Sequence, residues 1–179
     1  MRTPTIYSAD GIAVDLDRTV QVASLRYFDA VAFSARLTSS FGCGLPDAHG
    51  AVRAKFAASG EECIFLWRGP TETWLLSATS MPIAALEREL AGAEDCRLIP
   101  QTGGILVLHV EGPRTADLME RLGSTASIPG AGETLTGRFA DLTVTVFGVQ
   151  ANEVVLLVDR AYADHLRGWI RETLADFPT

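Results

Sequence analysis

Side chains that could carry out chemistry are few in this chain and lie far apart. His49, His109 and His165 have no second histidine or cysteine at the spacing of metal ligands, and no pair of carboxylates suggests acid–base catalysis. The glycine-rich segments lack the complete motif of a dinucleotide site or a phosphate-binding loop, and no serine lies in a nucleophile elbow. The sequence therefore predicts neither a catalytic residue nor a metal site, and it favours a binding or structural role.

The cysteines point to ordinary packing. Cys43, Cys63 and Cys96 are odd in number and widely spaced, so neither a disulfide framework nor a zinc knuckle fits them. Cys63 lies in an apolar run and is expected to be a small buried hydrophobic residue. Cys43 lies between two glycines and is interpreted as a loop residue, with a reactive thiol as the alternative.

The composition limits the classes of partner. The chain has 179 residues, of which 47% are hydrophobic, and a formal net charge of −7. It can therefore bury a core without metals or disulfides, and its charge argues against binding to nucleic acid or to an anionic membrane surface. The longest apolar runs, at residues 105–110 and 154–158, are too short to span a bilayer, and the first residues contain no hydrophobic signal core. A cytoplasmic location is expected.

Residues 62–79 give the clearest structural signal, a hairpin of two apolar strands. The strands at 63–67 and 74–78 flank a turn at 68–71 that contains Gly and Pro. Trp67 and Trp74 stand on either side of this turn. They are interpreted as core residues that fill volume, and the alternative is that one indole faces a partner subunit or a ligand.

The order of the remaining elements indicates an α+β fold built from two related halves. Each half, at about residues 18–92 and 103–177, reads as strand, helix, three strands, helix, with almost no identity between the two. Residues 93–103 are interpreted as a connection, 124–132 as a loop, and 1–17 as an extended N-terminal arm without periodicity. The halves are expected to form one domain, with sheets on one side and helices on the other.

Two helices have predicted caps and apolar stripes. Asp29 is expected to cap the first helix, and Asp159 the last. The stripe of the first helix comprises Val31, Phe33, Leu37 and Phe41, and that of the last helix Tyr162, Leu166, Trp169, Ile170 and Leu174.

Four segments resemble the gamma subunit of heterotetrameric sarcosine oxidase. Residues 67–76, Trp-Arg-Gly-Pro-Thr-Glu-Thr-Trp-Leu-Leu, are similar to the Leu-Gly-Pro-Asp-Glu-Trp-Leu-Leu segment of that family, although the turn is one residue longer. Residues 41–46 resemble its Leu-Gly-Leu-Pro-Leu-Pro helix exit, and 107–119 its Leu-x-Leu-x-Gly-Pro segment. Residues 162–169 resemble its last helix, where Arg167 replaces an aromatic residue. The resemblance covers the chain from about residue 18 to the end.

This resemblance implies a fold similar to the tetrahydrofolate-binding domain of the glycine-cleavage aminomethyltransferase. It also implies a non-catalytic accessory subunit of a complex that demethylates amines, in which partner subunits carry flavin, NAD and tetrahydrofolate. Whether this chain itself binds tetrahydrofolate stays open. Trp67, Arg68 and Trp74 are the candidates for contact with the other subunits of such a heterotetramer. The alternatives are a stand-alone tetrahydrofolate-binding one-carbon transferase and a homodimer of unrelated function.

Overall fold

The computed structural model describes residues 4–9, 11–123 and 128–177. The strands in these ranges are β1 (Thr5–Ala9), β2 (Ile12–Asp17), β3 (Gln21–Tyr27), β4 (Ala51–Lys55), β5 (Glu62–Gly69), β6 (Glu72–Ser77), β7 (Cys96–Pro100), β8 (Ile105–Glu111), β9 (Thr134–Phe139), β10 (Leu142–Gln150) and β11 (Glu153–Asp159). The helices are α1 (Ala30–Phe41), α2 (Met81–Glu89), α3 (Thr115–Leu122) and α4 (Ala163–Ala175). None of these helices is long and apolar enough to cross a membrane.

The strands form two antiparallel sheets, which confirms the α+β fold. The first sheet has the order β1-β2-β8-β11-β10-β9, and the second has the order β4-β5-β6-β3-β7. The order strand, helix, three strands, helix occurs twice, from β3 to α2 and from β8 to α4. In both halves the first strand pairs with the fourth, as β3 with β6 and β8 with β11. The two halves therefore share a topology despite their different sequences.

Three further strands flank these halves. β7 lies in the segment interpreted as a connection and pairs with β3, while β2 pairs with β8 and β1 with β2. The segment taken as an arm without periodicity thus forms a hairpin, in which Ile12, Val14 and Leu16 alternate inward. Residues 1–3 and 10 of that segment, and 124–127 of the predicted loop, lie outside the described residues.

Residues 19–102 form one compact unit. Its core lies between the second sheet and its helices, where Phe33, Leu37 and Phe41 of α1 pack with strand residues such as Phe65 and Leu75. Asp29 caps α1 as predicted, because its Oδ1 accepts hydrogen bonds from the amides of Val31 (2.9 Å) and Ala32 (3.0 Å). Gly42 ends the helix in the left-handed conformation, with φ of 65°.

One member of the predicted α1 stripe is not in the core. Val31 is 82% exposed, whereas Phe33, Leu37 and Phe41 are buried. Val31 is two residues before Phe33 and so lies about 200° from it around the helix axis, away from the face that Phe33, Leu37 and Phe41 share. The position of this residue matters for the site described below.

The remaining described residues form the second compact unit. Its core joins the first sheet to Leu118, Met119 and Leu122 of α3 and to Leu166 and Ile170 of α4. Two details of the predicted last helix are wrong. Asp159 caps a short 3-10 turn, Arg160–Tyr162, and α4 begins only at Ala163. Since the helix starts later, Tyr162 precedes it and is exposed, and Trp169 is also exposed beside the buried stripe.

Glu61 links the two ends of the β5–β6 hairpin through hydrogen bonds. Its carboxylate accepts hydrogen bonds from the hydroxyl of Ser77 (2.7 Å) and from the amide (2.7 Å) and hydroxyl (2.6 Å) of Thr79. Burial by itself would raise the pKa of Glu61, but the hydrogen bonds from Thr79 and Ser77 outweigh it and lower that pKa. The ionised carboxylate therefore holds the two ends of the hairpin together.

We expect Glu61→Gln to reduce the free energy of unfolding by about 1 kcal/mol at neutral pH, because charged acceptors make the stronger hydrogen bonds. A carboxylate with a lowered folded-state pKa stabilises above its ordinary pKa and loses that contribution as the pH falls through the folded-state value. The difference between wild type and variant should therefore shrink below about pH 4. Urea unfolding at several pH values measures this, with the exposed neighbour Glu62→Gln as control. A difference that stays constant down to about pH 3 would contradict the assignment.

Candidate functional site

The two tryptophans beside the hairpin turn lie on opposite faces of the second sheet. Trp67 pairs with Thr73, whose hydroxyl is 3.0 Å from that of the core residue Tyr27. Trp74 is the next residue along β6, and successive side chains of a strand point to opposite faces. The candidates Trp67, Arg68 and Trp74 therefore divide between two surfaces.

Trp74 belongs to a hydrogen-bonded polar cluster centred on Glu72. Glu72 Oε1 accepts from the indole of Trp74 (3.1 Å) and the hydroxyl of Ser24 (2.8 Å), and it lies 3.2 Å from the guanidinium of Arg26. The Arg68 guanidinium lies 4.0 Å from the centre of the Trp74 ring. Trp74 itself is only 6% exposed, so its indole serves as a packed support for Arg68.

The positive charge of Arg68 is poorly compensated by its neighbours. Its Nε is buried and has no hydrogen-bond partner within the described part of the chain. Burial lowers the pKa of Arg68, an effect that Glu72 opposes and Arg26 reinforces. The sequence hinted at this cluster only through the alternation of Ser24 and Arg26 in β3 with Glu72 and Trp74 in β6. The order of the strands in the sheet was needed to show that these four residues meet.

Trp67 lines a groove beside α1, on the opposite face. The groove has a volume of about 440 Å³, and its walls are Tyr27, Ala30, Val31, Ser34, Ala35, Thr38, Leu45, Pro46, Asp47, Trp67 and Pro70. The ring of His49 packs against Trp67 at 4.5 Å between centroids. At the start of α1, Phe28 and Val31 are 86% and 82% exposed. Val31 and Trp67 both line this groove, and clustered apolar side chains at a surface are a feature of interaction sites. Phe28 lines a separate cavity.

His109 is paired with a carboxylate that sequence analysis did not connect to it. Its Nε2 lies 3.3 Å from Oδ2 of Asp17, and Asp15 is opposite it in the β2–β8 register. In the sequence, this pairing was indicated only by the alternation that puts Ala13, Asp15 and Asp17 on one face of β2. Within the described ranges, no group of three or more histidine, cysteine or acidic residues could hold a metal ion.

The cysteines offer no activated nucleophile. Cys43, Cys63 and Cys96 are all free thiols. Cys63 is fully buried, as predicted. Burial raises the pKa of each thiol, in the case of Cys63 to about 11. These thiols are therefore protonated at neutral pH, where a protonated thiol is a poor nucleophile.

Comparison with known proteins finds likeness in structure but not in sequence. No protein-family model matches the chain, and no curated protein matches it. A chain of heterotetrameric sarcosine oxidase from Corynebacterium sp. U-96, in complex with pyrrole 2-carboxylate, superposes with a TM-score of 0.81 at 20% identity. That match covers 98% of this chain and 89% of the other.

Two further structures are similar. The glycine cleavage system aminomethyltransferase T from Bartonella henselae has a TM-score of 0.66 at 15% identity, over 88% of this chain and 46% of that one. A putative C-terminal regulatory domain of aspartate kinase from Porphyromonas gingivalis W83 has a TM-score of 0.51 at 12% identity, over 91% and 96%. The chain therefore has a fold related to those of heterotetrameric sarcosine oxidase and aminomethyltransferase, which confirms the fold that the resemblance implied.

Proposed function

We propose that this chain is a non-catalytic, structural subunit of a flavin- and folate-linked complex that demethylates amines and is similar to sarcosine oxidase. In this proposal flavin, NAD and tetrahydrofolate are bound by the partner subunits. The observation that carries the proposal is the fold likeness over 98% of this chain and 89% of a chain of heterotetrameric sarcosine oxidase. The likeness to aminomethyltransferase covers 46% of that chain, so it accounts for much less of the other protein.

The surface for the partner subunit is the groove beside α1, which Trp67 and Val31 both line. Of the three candidate residues, Trp67 alone lies on this face, whereas Arg68 and Trp74 belong to the polar cluster on the other. Exposed apolar side chains on a folded subunit are stabilised when a partner removes them from water. Since Val31 is 82% exposed, it can be changed without disturbing the core.

Co-expression of this chain with the flavin-bearing subunits encoded by its source tests the proposal. We expect the chain to co-purify with them, and Val31→Asp to weaken the association about thirtyfold, because the substitution places a charge in an apolar contact. An aspartate in the first turn suits the helix dipole, so the variant should fold. Met81→Asp, at an exposed residue that opens α2, is the matched control and should co-purify normally.

Tetrahydrofolate separates this proposal from its alternative, a stand-alone one-carbon transferase. The likeness to aminomethyltransferase favours the alternative. Intrinsic tryptophan fluorescence of the isolated chain, followed during titration with tetrahydrofolate, should show no saturable change if folate is bound by a partner. Saturable binding by an isolated monomer that captures no flavoprotein would overturn the subunit proposal and support the transferase.

A further inference from the structure

Three arginines lie on one face of the second sheet around a single central carboxylate. Arg26 is directly opposite Arg97 of β7 on one side and Glu72 of β6 on the other. Residues opposite each other in neighbouring strands share a face, so Arg97, Arg26 and Glu72 form a row across the sheet. Arg68 adds a third guanidinium, because it packs on Trp74, two residues along β6 from Glu72. The chain as a whole is acidic, with a net charge of −7, so this basic cluster is a local exception.

The single carboxylate of Glu72 does not neutralise all three arginines. Glu72 lies 3.2 Å from Arg26 and also accepts hydrogen bonds from Ser24 and Trp74. The side chain of Arg97 forms no hydrogen bond or salt bridge with any residue in the described ranges. Like charges directly opposite each other in a sheet are destabilising. An anion supplied from outside the chain would relieve the repulsion between Arg26 and Arg97.

A cavity next to the row is suited to a small molecule. Its volume is about 420 Å³, and its walls are Arg26, Tyr27, Phe28, Thr71, Glu94, Cys96 and Arg97. Ligand pockets usually hold at least about 300 Å³ and combine an apolar wall with a few placed polar groups. The nearby Arg36 is already occupied by Asp95, at 3.0 and 3.2 Å, and by the Cys96 sulfur at 3.4 Å. Glu94 is exposed and forms no salt bridge with the described residues.

We propose that this cavity binds a small aromatic carboxylate. Arg97, with Arg26 beside it, holds the carboxylate group, because the guanidinium fork matches the two oxygens of a carboxylate. Phe28 packs against the ring; it is 86% exposed without a ligand and gains an apolar contact when the cavity is filled. This site does not depend on the proposed subunit role, since all its residues lie within the compact unit of residues 19–102.

Calorimetric titration of the full chain with benzoate tests the proposal. Benzoate should bind saturably at one site, and benzamide, which has the ring but no charge, about tenfold or more weakly. Arg97→Gln should weaken benzoate binding about tenfold or more, and Phe28→Ala several-fold. Arg138→Gln, at a strand arginine in the other unit whose side chain is 72% exposed, is the matched control and should bind normally.

Thermal unfolding tests whether Arg97→Gln weakens binding only by destabilising the fold. Arg97→Gln removes a like-charge neighbour of Arg26, so its Tm without ligand should equal or exceed that of the wild type. Benzoate should raise the Tm of the wild type and not that of the variant. Three results would each overturn the assignment: no saturable binding of benzoate, undiminished binding by Arg97→Gln, or equal affinity for inorganic phosphate.

Discussion

Gly112→Ala is expected to destabilise the chain by about 3 kcal/mol or more, enough to leave little soluble protein. Gly112 joins β8 to α3 with φ of +129°, a conformation that side chains rarely adopt. A Cβ at this position would overlap the carbonyl group of Gly11, and backbone atoms cannot move aside as a flexible side chain can. The Gly112 amide also donates to the carbonyl of Asn152 at 2.9 Å, which restricts any backbone shift. Soluble yield and urea unfolding measure the effect.

Gly168→Ala is the matched control for this substitution. Gly168 lies inside α4, and no heavy atom comes within 4 Å of the Cβ that alanine would add. Alanine favours the helix over glycine by about 0.5–1 kcal/mol, so this variant should be more stable than wild type. If the two substitutions changed the stability equally, the overlap at Gly112 would not be the cause.

Glu72→Ala is expected to reduce the free energy of unfolding by about 2–4 kcal/mol. The substitution removes the acceptor of the Trp74 indole and of the Ser24 hydroxyl, and it leaves the half-buried Arg68 without a nearby carboxylate. Uncompensated buried charges and unsatisfied donors are among the larger causes of destabilisation. Urea unfolding at neutral pH gives the size of the loss.

Two comparisons show whether the loss comes from the charge cluster. Glu120→Ala changes an exposed glutamate on α3 and should alter stability by no more than about 0.5 kcal/mol. Adding Arg68→Met to Glu72→Ala removes the uncompensated guanidinium and should restore part of the loss. If the double variant were as unstable as the sum of the two single variants, Glu72 and Arg68 would not be coupled.

The alternation of apolar residues was sufficient to predict the repeated element order. The hairpin at residues 62–79, the Asp29 cap and the order from β8 to α4 rest on local patterns, which depend on neighbours in sequence. β7 (Cys96–Pro100) was missed because only Cys96 and Leu98 alternate inward, and its pairing partner β3 lies far away in the chain. A short strand is stabilised by the sheet that receives it, and a local pattern contains little of that information.

The candidate site residues show the same contrast between local sequence patterns and tertiary structure. Sequence singled out Trp67, Arg68 and Trp74 by their place beside one turn, but the pleat of the strands separates Trp67 from Trp74. Val31 was predicted to belong to the apolar stripe of α1, yet it lies about 200° around the helix axis from Phe33 and is exposed. The separation of the two indoles follows from the strand pleat, whereas Val31 was misplaced because a spacing of two residues does not keep a side chain on one face of a helix.

By itself, the sequence determined the α+β class, the repeated order of strands and helices, and the family whose fold this chain resembles. These properties depend on local periodicity and on short segments that remain contiguous in the chain. Only the tertiary structure decided that Arg26, Arg97 and Glu72 form a row and that Asp17 meets His109. Such pairs come from strands distant in sequence, and their contact depends on the register and order of the sheets, which are set by the packing of the whole core.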